Sequence, residues 1–123
     1  MFFRLISKKH LPWKPLLQTA TMLTFTPAEE RIMLILWKIE PAKLNDIIHC
    51  FPDPKPANNT ISTMLGTLLK KGIIVRTGGV RSYTYSTKLS KLEYSHIKLK
   101  SIMLDYFDGD FERLKKHVEI LQY

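Results

Sequence analysis

Between Asn59 and Lys71 the chain sets out Asn59, Thr60, Ser62, Thr63, Gly66, Thr67, Lys70 and Lys71, short hydrogen-bonding residues closed by two cations. Arg76 and Arg81 follow, and no acid occurs from Pro54 through Tyr85. Side chains of this kind donate to phosphate oxygens and exchange hydrogen bonds with base edges, and their small size lets a backbone come close. Six basic residues stand against one acid from Asp53 to Lys88, a balance suited to a phosphate backbone. The competing reading is a solvated helix face, but such a face would carry more Glu and Lys to support the helix.

The elements that must position these residues are legible from period and punctuation. Thr26-Pro27-Ala28-Glu29 forms a capping box with proline at the first helical position. Ile32, Ile35, Leu36 and Ile39 then recur as one buried stripe flanked by Trp37, and Pro41 ends the helix. A short helix over Leu44 to Phe51 offers Leu44, Ile47, Ile48 and Phe51 to a core, and Pro52, Pro54 and Pro56 follow as a stiff connection. Asn58 or Asn59 is expected to cap a third helix, over 57–71, stopped by Gly72. Ile61, Met64, Leu65 and Leu68 take its inward face. Asn59, Ser62, Thr63, Gly66, Thr67 and Lys70 take the outer one, with Thr60 near its start. Glycine inside a helix costs about 1 kcal/mol against alanine, so Gly66 implies close approach to DNA or to a neighbouring element.

Ile73 to Thr77 and Ser82 to Ser86 are β-rich runs joined across Gly78-Gly79, a hairpin signal with Arg81 near its tip. Wing residues such as Arg76 and Arg81 reach phosphates or a minor groove, or else simply solvate a turn. Lys70 and Lys71 also complement the helix dipole where they stand. Ser90-Lys91-Leu92-Glu93 is a second capping box opening a helix to about Phe107, and Gly109 separates a last helix from Phe111. The order helix, helix, helix, hairpin specifies a winged helix-turn-helix, a mainly α (α+β) fold with a helical C-terminal region.

The net charge of +8 over 123 residues is uneven. Residues 1–22 carry four basic groups and no acid, and are expected to be a basic, disordered extension. A winged-helix domain is expected over 23–88 and a helical dimerisation region over 89–123. A membrane surface prefers a basic amphipathic helix with an apolar underside, whereas here the basic excess straddles a helix end and a hairpin. No window approaches the length of a transmembrane span, and a single cysteine, Cys50, excludes an internal disulfide framework. A cytoplasmic location is expected. His10, His49, His96, His117 and Cys50 show no ligand spacing, so no metal and no cofactor are expected, and Cys50 is expected to be a small core residue.

At LTFTPAEERIMLILWKI, NNTISTMLGTLLKKGII, SYTYS and FDGDFERL the sequence resembles the penicillinase-repressor (BlaI/MecI/CopY) family of winged-helix regulators, over about Leu23 to Val118. The resemblance implies a homodimeric repressor of palindromic operators in double-stranded DNA, with the C-terminal helices dimerising. In this chain dimerisation would rest on Leu99, Ile102, Met103, Tyr106 and Phe107, a stripe that could instead pack onto the chain's own core. It further implies a membrane sensor protease acting on the dimerisation region in β-lactam-responsive members. Two departures stand against this: the family's Asn-Phe cleavage dipeptide aligns near Ser101-Ile102 and is not matched, and this chain has Ser62 and Thr67 where the family's recognition helix often has basic side chains. The cysteine-rich C-terminal metal site of the copper-responsive branch has no counterpart here.

A different class of function is a winged-helix module that binds protein through the Tyr83/Tyr85 strand or the long helix, without sequence-specific DNA binding. An enzyme is not expected: the chain offers no nucleophile paired with a base, no glycine-rich phosphate loop and no suitably spaced carboxylate pair. Asp105, Asp108 and Asp110 read as solvated residues and helix caps around Gly109.

Overall fold

Thr26 sets the first element in place. In the computed structural model, which describes residues 25–122, its hydroxyl accepts from the Glu29 amide at 3.1 Å while Glu29 accepts from the Thr26 amide at 2.9 Å. Helix α1 then runs Pro27–Ile39. The expectation for residues 1–22 lies outside the described residues. Ile32, Ile35 and Leu36 are buried as their spacing predicts, but Met33 is wholly buried and Ile39 only partly so. The stripe is therefore rotated toward Met33.

After α1 the chain pairs briefly with the wing: Ala42 and Tyr85 exchange backbone hydrogen bonds of 3.0 and 2.7 Å. Helix α2 follows over Leu44–His49, with Ile47 as its buried anchor. It stops two residues short of the expected end, which leaves Cys50 at the cap and exposed rather than in the core.

Helix α3 spans Asn58–Lys70 and buries Ile61, Leu65 and Leu68. Its N-cap is Ala57, not Asn58 or Asn59, and no side chain caps it. Ala57 holds extended backbone behind Pro56, so both asparagines already lie inside the helix. The other end closes as the sequence predicts. Gly72, at φ +75°, donates to the Leu69 carbonyl and Ile73 to that of Leu68, satisfying two orphan carbonyls.

Strands β1 (Ile74–Thr77) and β2 (Thr84–Thr87) pair antiparallel, Arg76 opposite Tyr85 and Thr77 opposite Thr84. Both begin one or two residues later than expected, and the turn is not Gly78-Gly79. Gly78 adopts φ +94°, and a Cβ there would meet the Ser82 carbonyl oxygen at 2.8 Å. The chain bends out at this glycine and closes one step on, Ser82 donating to Gly79, so that Val80 and Arg81 form the tip. Two tethers join α1 to the far end of the wing: Glu40 accepts from the amide and hydroxyl of Thr87, and Trp37 donates to the Leu89 carbonyl.

The described residues fall into two compact units, one through Lys91 and the other from Leu92 onward. The second holds nearly all of helix α4 (Lys91–Tyr106) and helix α5 (Phe111–Ile120), whose N-cap Asp110 accepts from the Glu112 and Arg113 amides.

Candidate nucleic-acid interface

Burying Ile61, Leu65 and Leu68 turns the opposite side of α3 to solvent. Asn59, Thr60, Ser62, Thr63, Thr67 and Lys70 are all exposed, and Gly66 is half-buried. The Thr63 hydroxyl donates to the Asn59 carbonyl at 2.8 Å, and that of Thr67 to the Thr63 carbonyl at 3.2 Å. Among the described residues nothing lies within 4 Å of where a Cβ on Gly66 would stand. Packing among the described residues therefore gives no reason for this glycine.

The wing stands beside this face. Arg76 lies over the Tyr83 ring at 4.0 Å, which holds the guanidinium while leaving its in-plane N–H groups able to donate. Arg81 is exposed at the tip next to Val80, itself 81% exposed. A half-open cleft of about 290 Å³ separates wing from helices, lined by Lys43, Asn45, Ser62, Arg81, Tyr83 and Tyr85 among others. Lys43 and Asn45 were not legible as candidates from the sequence. They join this surface because α2 crosses α3, and no local spacing encodes that crossing. Tyr85 is only 8% exposed and belongs to the core, so the Tyr83/Tyr85 strand offers a protein partner little.

Lys71 differs from the other cations. Its ammonium sits 3.2 and 3.3 Å from the two Glu29 oxygens and 5.6 Å from the Phe25 ring centroid. Burial pushes the Glu29 carboxyl up, but the Thr26 amide and the Lys71 ammonium outweigh it and hold the group below the ordinary glutamate value. Lys71 thus joins the end of α3 to the start of α1, a structural task before any contact with phosphate.

The model of the penicillinase repressor family matches residues 25–119. The chain belongs to the penicillinase repressor family. Membership places it among DNA-binding transcriptional repressors, a family of regulators rather than enzymes. No curated protein matches the sequence.

In the repressor's second unit, Leu99 and Tyr106 are exposed while Ile102, Met103 and Phe107 are half-buried, Phe107 with its ring 5.4 Å from that of His117. Exposed apolar side chains extend beyond the expected five to Leu104, Phe111, Val118, Ile120 and Leu121. No helix among the described residues is long and apolar enough to cross a membrane, and no three metal-ligating side chains come together there.

Proposed function

We propose that this repressor binds a palindromic operator in double-stranded DNA as a homodimer, α3 entering the major groove and the wing lying on the backbone or in the minor groove. The observation that carries this reading is the cleft that joins the outer side of α3, at Ser62, to the wing, at Val80, Arg81 and Tyr83, in a run from Pro54 to Tyr85 that contains no acid. Asn59, Ser62, Thr63 and Thr67 meet base edges or phosphates, and Gly66 allows the backbone near. Lys70 ends the helix toward the phosphates. Lys43, Asn45 and Arg81 line the cleft of about 290 Å³, two cations and a carboxamide that suit a backbone phosphate. Amides at the uncapped start of α3 add to that attraction, since a helix N-terminus favours anions.

Selection of duplexes from a random pool by the full-length protein, repeated across a salt series, tests this. The expected result is an inverted repeat with half-site centres about 34–36 Å apart, the spacing of one helical turn. Affinity should fall with salt at a slope of roughly −0.9 per phosphate contact on a logarithmic plot. Salt-sensitive binding with no enriched sequence would leave only a basic surface. The absence of any binding would end the reading.

A further inference from the structure

A hydroxyl has one proton, and Thr63 and Thr67 have both committed theirs to carbonyls of their own helix, at 2.8 and 3.2 Å. Both residues are exposed, so what they hold out to a partner is a γ-methyl group and oxygen lone pairs. The neighbours of these two threonines on the outer side differ from them. Gly66 has no side chain, Ser62 lines the cleft, and Lys70 stands at the last helical position.

The base pairs differ in how they meet such a surface. Guanine presents two acceptors in the major groove, N7 and O6, and both would face the acceptors of a back-bonded threonine. An A·T pair presents the thymine methyl group for apolar contact and the adenine amino group as a donor. It matches both things that the threonines offer, whereas G·C matches only through the cytosine amino group. Thr63 and Thr67 are four residues apart, about 6 Å along the helix axis, close to the height of two base-pair steps.

We infer that Thr63 and Thr67 determine specificity by selecting A·T pairs at two positions near the centre of each half-site, through contact of their methyl groups with those of thymine. The inference rests on the proposed reading of α3 as the groove-bound helix, and it goes further by naming the chemistry read. Asn59, at the N-terminal end of the same row, adds a carboxamide able to pair with adenine N6 and N7.

The test uses the wild-type protein and the duplex enriched from the random pool. Each thymine in the half-site is replaced in turn by deoxyuridine, which deletes the methyl group and keeps O4. At two positions affinity should fall about fourfold, the equivalent of one buried methyl-sized group. In the protein, Thr63→Ser and Thr67→Ser delete the methyl group and keep the hydroxyl oxygen, whereas Thr63→Val and Thr67→Val keep the methyl group and delete the oxygen, whose proton was already used internally. Each serine variant should bind more weakly than its valine counterpart, and the serine variants should lose their sensitivity to the matching deoxyuridine. Guanine at the half-site centre, indifference to every deoxyuridine, or valine variants weaker than serine variants would overturn the inference while leaving operator binding intact. Failure to enrich any sequence would remove operator binding and this inference together.

Discussion

Gly66 lowers the intrinsic stability of its own helix, and among the described residues the space around its missing Cβ is open. Gly66→Ala should therefore stabilise the repressor by about 1 kcal/mol, the propensity difference, while weakening duplex binding because a methyl group now stands on the approach side. Chemical denaturation and a duplex titration on the same variant check the pair of effects. Unchanged affinity would show that DNA does not come near this backbone. Lys71 makes the opposite case. It reads in sequence as one of two helix-ending cations, and the acid it meets is 42 positions away, beyond any local pattern. Lys71→Met strands a Glu29 that is only 4% exposed, at a cost of about 1–2 kcal/mol, below the range for fully buried pairs because 33% of the Lys71 side chain remains accessible. Because the folded Glu29 carboxyl is held low, its stabilisation is complete above the ordinary glutamate value and is lost as pH falls through the lower folded one. Denaturation in urea at neutral and acidic pH should show wild type losing that contribution in acid and the variant losing less, since the Thr26 hydrogen bonds to Glu29 remain in it while the Lys71 share is gone. Equal stability of the two at neutral pH would refute the role.

At the scale of elements, what was legible is what local rules govern. The Thr26 box, the Gly72 stop and the inward row of α3 need only neighbours within one or two turns, and they stand where their spacing puts them, except that Met64 of that row is only half-buried. The start of α3, the end of α2 and the tip of the wing shifted, because tertiary partners decide them. Extended backbone at Ala57 pre-empts the asparagine caps, and the approach of Ser82 to Gly78 moves the turn forward. Glu40 is the least visible of these long-range parts. A glutamate before a proline carries no signal, yet it accepts from the Thr87 amide at 2.7 Å and from the Thr87 hydroxyl at 2.9 Å. Glu40→Ala should cost about 2 kcal/mol, as expected for hydrogen bonds to a charged acceptor, and speed amide exchange at Thr87 well beyond that at buried Leu65. A Thr87 amide protected as in wild type would mean that the tether does not hold the wing.

At the scale of the whole molecule, the apolar surface from Leu92 onward sets the question. Leu99, Leu104, Tyr106, Phe111, Val118, Ile120 and Leu121 are all exposed, more apolar surface than a helical pair needs for its own packing. Phe111, Leu114 and Val118 also keep one helical face along α5, continued by Leu121 at its C-cap. The half-burial of Ile102, Met103 and Phe107 divides that first row into positions already covered and positions still open, and Tyr106, 78% exposed, is the most open of the five. A second copy of the chain is the partner that the proposed palindromic operator requires, because two linked reading heads convert the second half-site contact into an intramolecular step. Tyr106→Asp places a carboxylate where an apolar surface would close. The variant should sediment as a monomer, keep its folded helices by circular dichroism, and bind the full operator about 10²- to 10⁴-fold more weakly, the loss expected when tethering is removed. Binding to an isolated half-site should stay at the wild-type level, since the α3 face is untouched. A variant that still sediments as a dimer would take Tyr106 out of the interface, and a monomer that binds the full operator at wild-type affinity would show that repression does not depend on pairing.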